Sequence, residues 1–216
     1  MSAFRLALVT LLACLWCVGL LVLRLKWSGQ MSFYFMSWNL FLAAVPLGFS
    51  LALLKVRHGL LGLPVIGGWL LFFPNAPYVL TDLVHLKQRG PVALWFDLLL
   101  LLSFALVALW MGFQSLRLVQ GWVAQRTSSW TAWAFAMASL LLSGFGIYLG
   151  RFLRWNSWDI VHRPEALVND IVVRIINPLA HTKTWGVTLG FGGLLVVAYV
   201  FWITTSVAPA PVRAEK

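Results

Sequence analysis

The sequence is poor in acids. Six Asp and Glu stand among 216 residues, against sixteen Lys and Arg, so every acid is worth placing. Charged residues of both signs make up 10% of the chain, while 61% are hydrophobic and 15% aromatic. That scarcity excludes an ordinary soluble domain, in which about a quarter of residues are charged. Cysteine is nearly absent too. Cys14 and Cys17 form a C-x-x-C inside an apolar run, far from the exposed helix start that would lower a thiol pKa, so they read as small buried residues and not as a redox pair. No G-x-S-x-G, P-loop or dinucleotide fingerprint occurs, which leaves no classical nucleophile or nucleotide cradle. The first apolar run continues past Cys14 with no polar segment after it, so it reads as a span and not as a cleaved leader.

What is present is a series of apolar runs near the roughly 20 residues that a bilayer-spanning helix needs. They cover 4–23, 38–54, 60–80, 92–113, 130–150 and 185–205. The expected architecture is all-α, a polytopic membrane helix bundle with about six transmembrane spans, forming one domain over 1–206 with a flexible tail at 207–216. The bases lie between these runs, where they anchor topology and meet anionic lipid. Membrane lipids are therefore the expected partners, and nucleic acid is not. Small residues spaced by four, Ser139/Ser143, Gly146/Gly150 and Gly186/Gly190, suit close helix packing. Residues 117–129 read as a polar loop. Residues 164–177 form an amphipathic pattern opened by Pro164, expected to lie at the membrane surface.

The third run is the irregular one. Its unbroken part, 60–73, would reach only roughly 21 Å as a helix, and it ends at Pro74 and Pro77 within PNAPYVLTDLVH. If a helix restarts with Asn75 as its cap, then Asn75, Tyr78, Asp82 and His85 fall within about 80° of one face. An acid and a histidine on one stripe of a broken membrane helix mark a candidate working site.

Span counting then gathers the polar residues. With six spans, the first, third and fifth connectors share a side. That side receives Asn39, Asn75, Tyr78, Asp82, His85, Asp97, Arg151, Arg154, Asn156, Asp159 and His162, and with them five of the six acids. Three chemistries fit. Asp82-x-x-His85 and Asp159-x-x-His162 could supply four ligands to a divalent metal. Arg151 and Arg154, with Asn156, could bind a phosphate or carboxylate bidentately, and Asp82, His85 or Asp159 would then serve as acid–base groups. Alternatively Asp82, Asp97 and Asp159 pair with the two arginines and hold the spans in register. In each, Asn39, Asn75, Tyr78 and Asp97 orient the central groups.

The segments WNLFLAAVPL (38–47), PNAPYVLTDLVHL (74–86), WFDLLLL (95–101), GRFLRWNSWDI (150–160) and HTKTWGVTL (181–189) together resemble the multi-pass bacterial membrane family called domain of unknown function 1361. The resemblance implies a bacterial inner-membrane protein with these polar segments as signatures, and it carries no activity with it. His162 is outside the signature. The function expected is therefore an integral membrane protein with a polar pocket at one face that binds an anionic lipid head group or small anion. The alternatives are a structural or accessory subunit of a membrane assembly, and a metal-dependent enzyme or small transporter. A homo-oligomer or a membrane-complex partner accompanies the last readings.

Overall fold

The computed structural model describes residues 3–88 and 91–206. Among them there is no strand. The helices run α1 (Ala3–Ser28), α2 (Phe35–Leu53), α3 (Gly59–Phe72), α4 (Asn75–Tyr78), α5 (Leu94–Ala124), α6 (Ser129–Phe152), α7 (Asp159–His162), α8 (Pro164–Ile176) and α9 (Thr182–Thr205). Short 3₁₀ segments cover Val79–His85 and Pro178–His181. Six segments are long and apolar enough to cross a membrane: Phe4–Ser28, Phe35–Leu53, Gly59–His85, Leu94–Ala124, Ser129–Phe152 and Pro178–Thr205. The all-α multi-pass bundle read from the sequence is the fold observed. The expected tail at 207–216, and part of the turn at 87–91, lie outside the described residues.

Helix α5 is the centre. It packs against α1, α2, α4 and α6, and Leu100, Leu101, Phe104, Ala108, Met111 and Leu116 on it are buried. Its length corrects the sequence reading, since residues 117–124 continue the helix and do not form a loop. Leu116, Val119 and Val123 recur at helical spacing and are buried with Trp122. The polar side chain of Gln120 is absorbed by Tyr199 of α9, whose hydroxyl donates to Oε1 at 2.6 Å. Helix α1 also runs further than its apolar stretch. It ends at Gly29, which adopts φ +64° and donates its N–H to the Leu25 carbonyl, a left-handed termination suited to glycine.

Two of the three small-residue pairs work as expected. Ser139 and Ser143 are buried in α6, beside Gly144. A Cβ on Gly144 would lie 2.3 Å from the Thr188 carbonyl oxygen of α9, so only glycine permits this approach. Gly146 and Gly150 instead receive the broken span: Cβ atoms there would meet Pro74 at 2.6 Å and Tyr78 at 3.0 Å. The third pair does not pack this way, because Gly186 and Gly190 face open space and Gly192 makes the close contact with α6.

The break at Pro74 and Pro77 bends the third span without ending it. Pro74 remains in the right-handed helical region, and the chain goes on through α4 and the 3₁₀ turn to His85. Pro77 has no N–H, and the Ala76 N–H goes to Phe73 and not to Phe72. Two carbonyls are thereby released from the ladder. Asn75 Nδ2 donates to Phe72 O at 2.9 Å, and Ser157 Oγ donates to Leu71 O at 3.2 Å. Asn75 is thus no N-cap: it sits inside α4 and caps the segment before it.

Candidate functional site

Two polar arrangements form on the side that span counting identified. The first surrounds Asp82, which is 1% exposed. Its Oδ2 accepts from Asn39 Nδ2 of α2 at 2.8 Å, and its Oδ1 accepts from Arg151 Nη2 of α6. Arg151 also donates through Nε and Nη2 to Thr81 Oγ1, at 2.9 and 2.6 Å, and lies 4.6 Å over the Tyr78 ring. Its Nη1 is 3.2 Å from His85 Nε2. A guanidinium only donates, so His85 Nε2 can serve here only as the acceptor. Four of the five guanidinium N–H donors are engaged in these bonds. In the 3₁₀ turn residues three apart eclipse, which puts Asp82 and His85 on one side. Of the expected stripe this joins Asp82 and His85, whereas Asn75 and Tyr78, in the α segment before the turn, line a separate cavity.

Asp97, expected beside these residues, is taken elsewhere. Its two oxygens accept from Arg24 Nε at 2.8 Å and Nη2 at 3.2 Å, with side-chain exposures of 0% for Arg24 and 1% for Asp97. Arg24 reads from the sequence as a base that ends the first span. In the structure it is inside the bundle, held also by Ser28 Oγ and lying over the Phe33 ring. Parity contained the signal, because the end of the first span and the start of the fourth share a side.

The second arrangement is the fifth connector. Asp159 is 5% exposed, and its carboxylate accepts from the Asn156 N–H at 2.8 Å and from Arg163 Nη2 at 3.2 Å. The Asn156 N–H, more than the Arg163 charge, holds this carboxyl below the usual carboxylate range. Asp159 thus pairs with neither Arg151 nor Arg154. His162 is exposed at the end of α7, and no group of three His, Cys, Asp or Glu side chains gathers for a metal ion among the described residues. The two D-x-x-H pairs do not converge. Trp155 Nε1 donates to Asp170 of α8 at 2.8 Å, and Ser157 Oγ accepts from Asn75 Nδ2 at 2.9 Å, so the connector is plugged into the break of the third span.

Between this connector and the bundle lies a cavity of about 500 Å³. Leu42, Leu70, Leu142, Phe145, Leu149 and Ile171 supply apolar wall. Asn39, Asn75, Tyr78, Arg154, Asn156 and Ser157 supply polar lining. Asp82, His85 and Arg151 are absent from the lining. Arg154 is the one charged residue there; it is exposed and makes no hydrogen bond or ion pair to a described residue. It has φ +61°, at the position after the end of α6 where glycine is the usual residue.

These features define the class: a multi-pass helical membrane protein with a closed ionic clamp and, beside it, an amphipathic cavity. The chain belongs to the family described as protein of unknown function DUF1361, whose family model matches residues 38–198. Neither a curated protein nor a solved structure matches the chain.

Proposed function

We propose that the protein works in the bacterial cytoplasmic membrane as a binder of an anionic amphiphile, with the head group at Arg154 and the apolar chain along the cavity wall. The observation that carries this reading is the cavity itself. Its volume lies in the range of small-molecule sites, its wall is apolar, and its one charge is an unpaired guanidinium. A left-handed arginine where glycine would be unstrained is a further support, since backbone strain of this kind collects at ligand sites. Helix α8 covers part of the cavity through Leu167 and Ile171 and exposes Val168, Val172, Ile175 and Ile176, which suits a helix resting on lipid beside the mouth.

The test is native mass spectrometry of the detergent-purified protein with phosphatidylglycerol or phosphatidylcholine added. Retention of the anionic lipid above the zwitterionic one, lost in Arg154→Gly, is the expected result. Equal retention of the two lipids overturns the reading.

A second reading has its own observation. The Asn39–Asp82–Arg151 cluster joins α2, the broken span and α6, as a structural or accessory subunit would need. Under it, Asp82→Asn lowers stability, and neither wild type nor variant retains the anionic lipid above the zwitterionic one.

A further inference from the structure

The cavity offers more than a charge. Asn39 and Asn75 both line it, and the amide of each is oriented by hydrogen bonds that its NH₂ donates to the protein, one from Asn39 and two from Asn75. Asn39 Nδ2 donates to the Asp82 carboxylate, and Asn75 Nδ2 donates to the Phe72 carbonyl and to Ser157 Oγ. A carboxylate and a backbone carbonyl can only accept, so neither amide can be flipped without losing these bonds. The side-chain carbonyl oxygens of both residues are consequently left as acceptors, and neither receives a hydrogen bond from a described residue. Neither is among the fully buried polar atoms without a partner, so each keeps surface for a donor to reach. The lining thus sets two fixed acceptors beside its one cation, Arg154, and beside neutral donors such as the Tyr78 hydroxyl.

A fully ionised phosphate or carboxylate head group satisfies Arg154 and offers no donor to the two acceptors. Its own oxygens would be repelled by them. A head group with free hydroxyls satisfies both sets. We infer that the ligand of this cavity is an amphiphile whose head group joins a single negative charge to free hydroxyl groups, the hydroxyls donating to Asn39 Oδ1 and Asn75 Oδ1 and the anion meeting Arg154. The inference rests on the amphiphile reading above and specifies its head group.

The experiment is competitive native mass spectrometry from solution at about pH 9, where the phosphate monoester has lost its P–OH, with phosphatidylglycerol (anion and hydroxyls), phosphatidic acid (anion alone) and phosphatidylcholine (neither), all with the same acyl chains. Phosphatidylglycerol is expected to be retained about tenfold above phosphatidic acid, the equivalent of two ordinary hydrogen bonds. Its advantage goes against charge, because phosphatidic acid is the more negative lipid. Arg154→Gly should weaken both anionic lipids about tenfold or more and preserve their ratio. Asn75→Ala should shrink the ratio and keep the preference over phosphatidylcholine. Asn75 also caps Phe72, so Asn39→Ala provides the same readout if that variant fails to fold. Equal retention of the two anionic lipids, both above phosphatidylcholine, overturns the hydroxyl inference and leaves the anionic-amphiphile reading standing. Retention of neither above phosphatidylcholine overturns that reading as well. Displacement of the lipid by an equal concentration of soluble glycerol 3-phosphate overturns the requirement for an apolar chain.

Discussion

Arg151 and Arg154 are three residues apart in a single short segment, GRFLRW. Arg151 is in the last turn of α6, where the helix points its side chain back over Tyr78 toward Thr81, Asp82 and His85. Its charge is used up by the fold. Arg154 lies just beyond the helix end, in the left-handed region, and its side chain leaves the bundle for the cavity mouth. Identical chemistry at one turn's spacing therefore has two outcomes, and the backbone decides between them. A helical residue can be enclosed by neighbouring helices. A residue at a left-handed helix end is directed away from them. Arg24 marks the extreme of closure, with no exposed surface and Asp97 gripped at two points. The three arginines form a series from shut to open, and substitutions can test the order.

The largest effect belongs to the shut end. Asp97→Asn leaves Arg24 buried without a counter-charge, and a stranded charge of this kind costs about 3–5 kcal/mol. The expected outcome is low expression and a lowered thermal midpoint in detergent. Arg24→Met with Asp97→Leu together should recover most of the loss, because the pair is replaced by apolar packing. If Asp97→Asn alone is harmless, the pair is not closed. Asp82→Asn should do less, about 1–3 kcal/mol, since Arg151 keeps Thr81 and His85 and is 19% exposed along its side chain. A loss equal to that of Asp97→Asn would erase the difference between these two arginines.

Arg154→Gly inverts the sign. Glycine accepts φ +61° without strain but has a freer unfolded chain, so the variant should be unchanged or up to about 1 kcal/mol more stable. Lipid retention should nevertheless fall. Stability and binding moving apart in one variant is the signature of a residue held for a ligand. A clear loss of stability would instead place Arg154 in the structural network.

The spans, the broken third helix and the gathering of polar residues on one side were all legible in the sequence. Run length gave the spans, the Pro74–Pro77 pair gave the break, and counting gave the side. The partners were not legible. Which acid meets which base depends on how each helix is rotated, and that is set by contacts such as Gly144 against Gly192, which no local pattern ranks. Asp97 and Arg24 are 73 positions apart and separated by two spans, so only parity linked them. The continuation of α5 to Ala124 was hidden because Arg117 and Gln120 look like loop residues until Tyr199 is known to cover one of them. The opposite fates of Arg151 and Arg154 were hidden for a related reason. Nothing in RFLRW marks where α6 stops, since the glycine that usually signals a left-handed end is missing.

The smallest effect concerns the connector that presents Arg154. Asp159 pins it by accepting from the Asn156 N–H and from Arg163, and the carboxyl is held below its ordinary range, chiefly by the former. A depressed folded-state pKa contributes stability that is present above the unfolded value of about 3.9 and lost as pH falls through the folded value. Arg163 is 61% exposed along its side chain, so the ion pair adds well under about 1 kcal/mol, and most of the contribution comes from the backbone hydrogen bond. Thermal midpoints in detergent should therefore separate wild type from Asp159→Asn at neutral pH and converge as pH drops below about 3.9. Lipid retention should follow the same curve in wild type, because the turn that Asp159 ties down begins two residues after Arg154. Curves that stay parallel through the acid range would mean that Asp159 does not set the shape of this connector, and that the left-handed turn at Arg154 is held by its other ties, the Trp155 N–H to Leu149 O, Trp155 to Asp170 and Ser157 to the broken span.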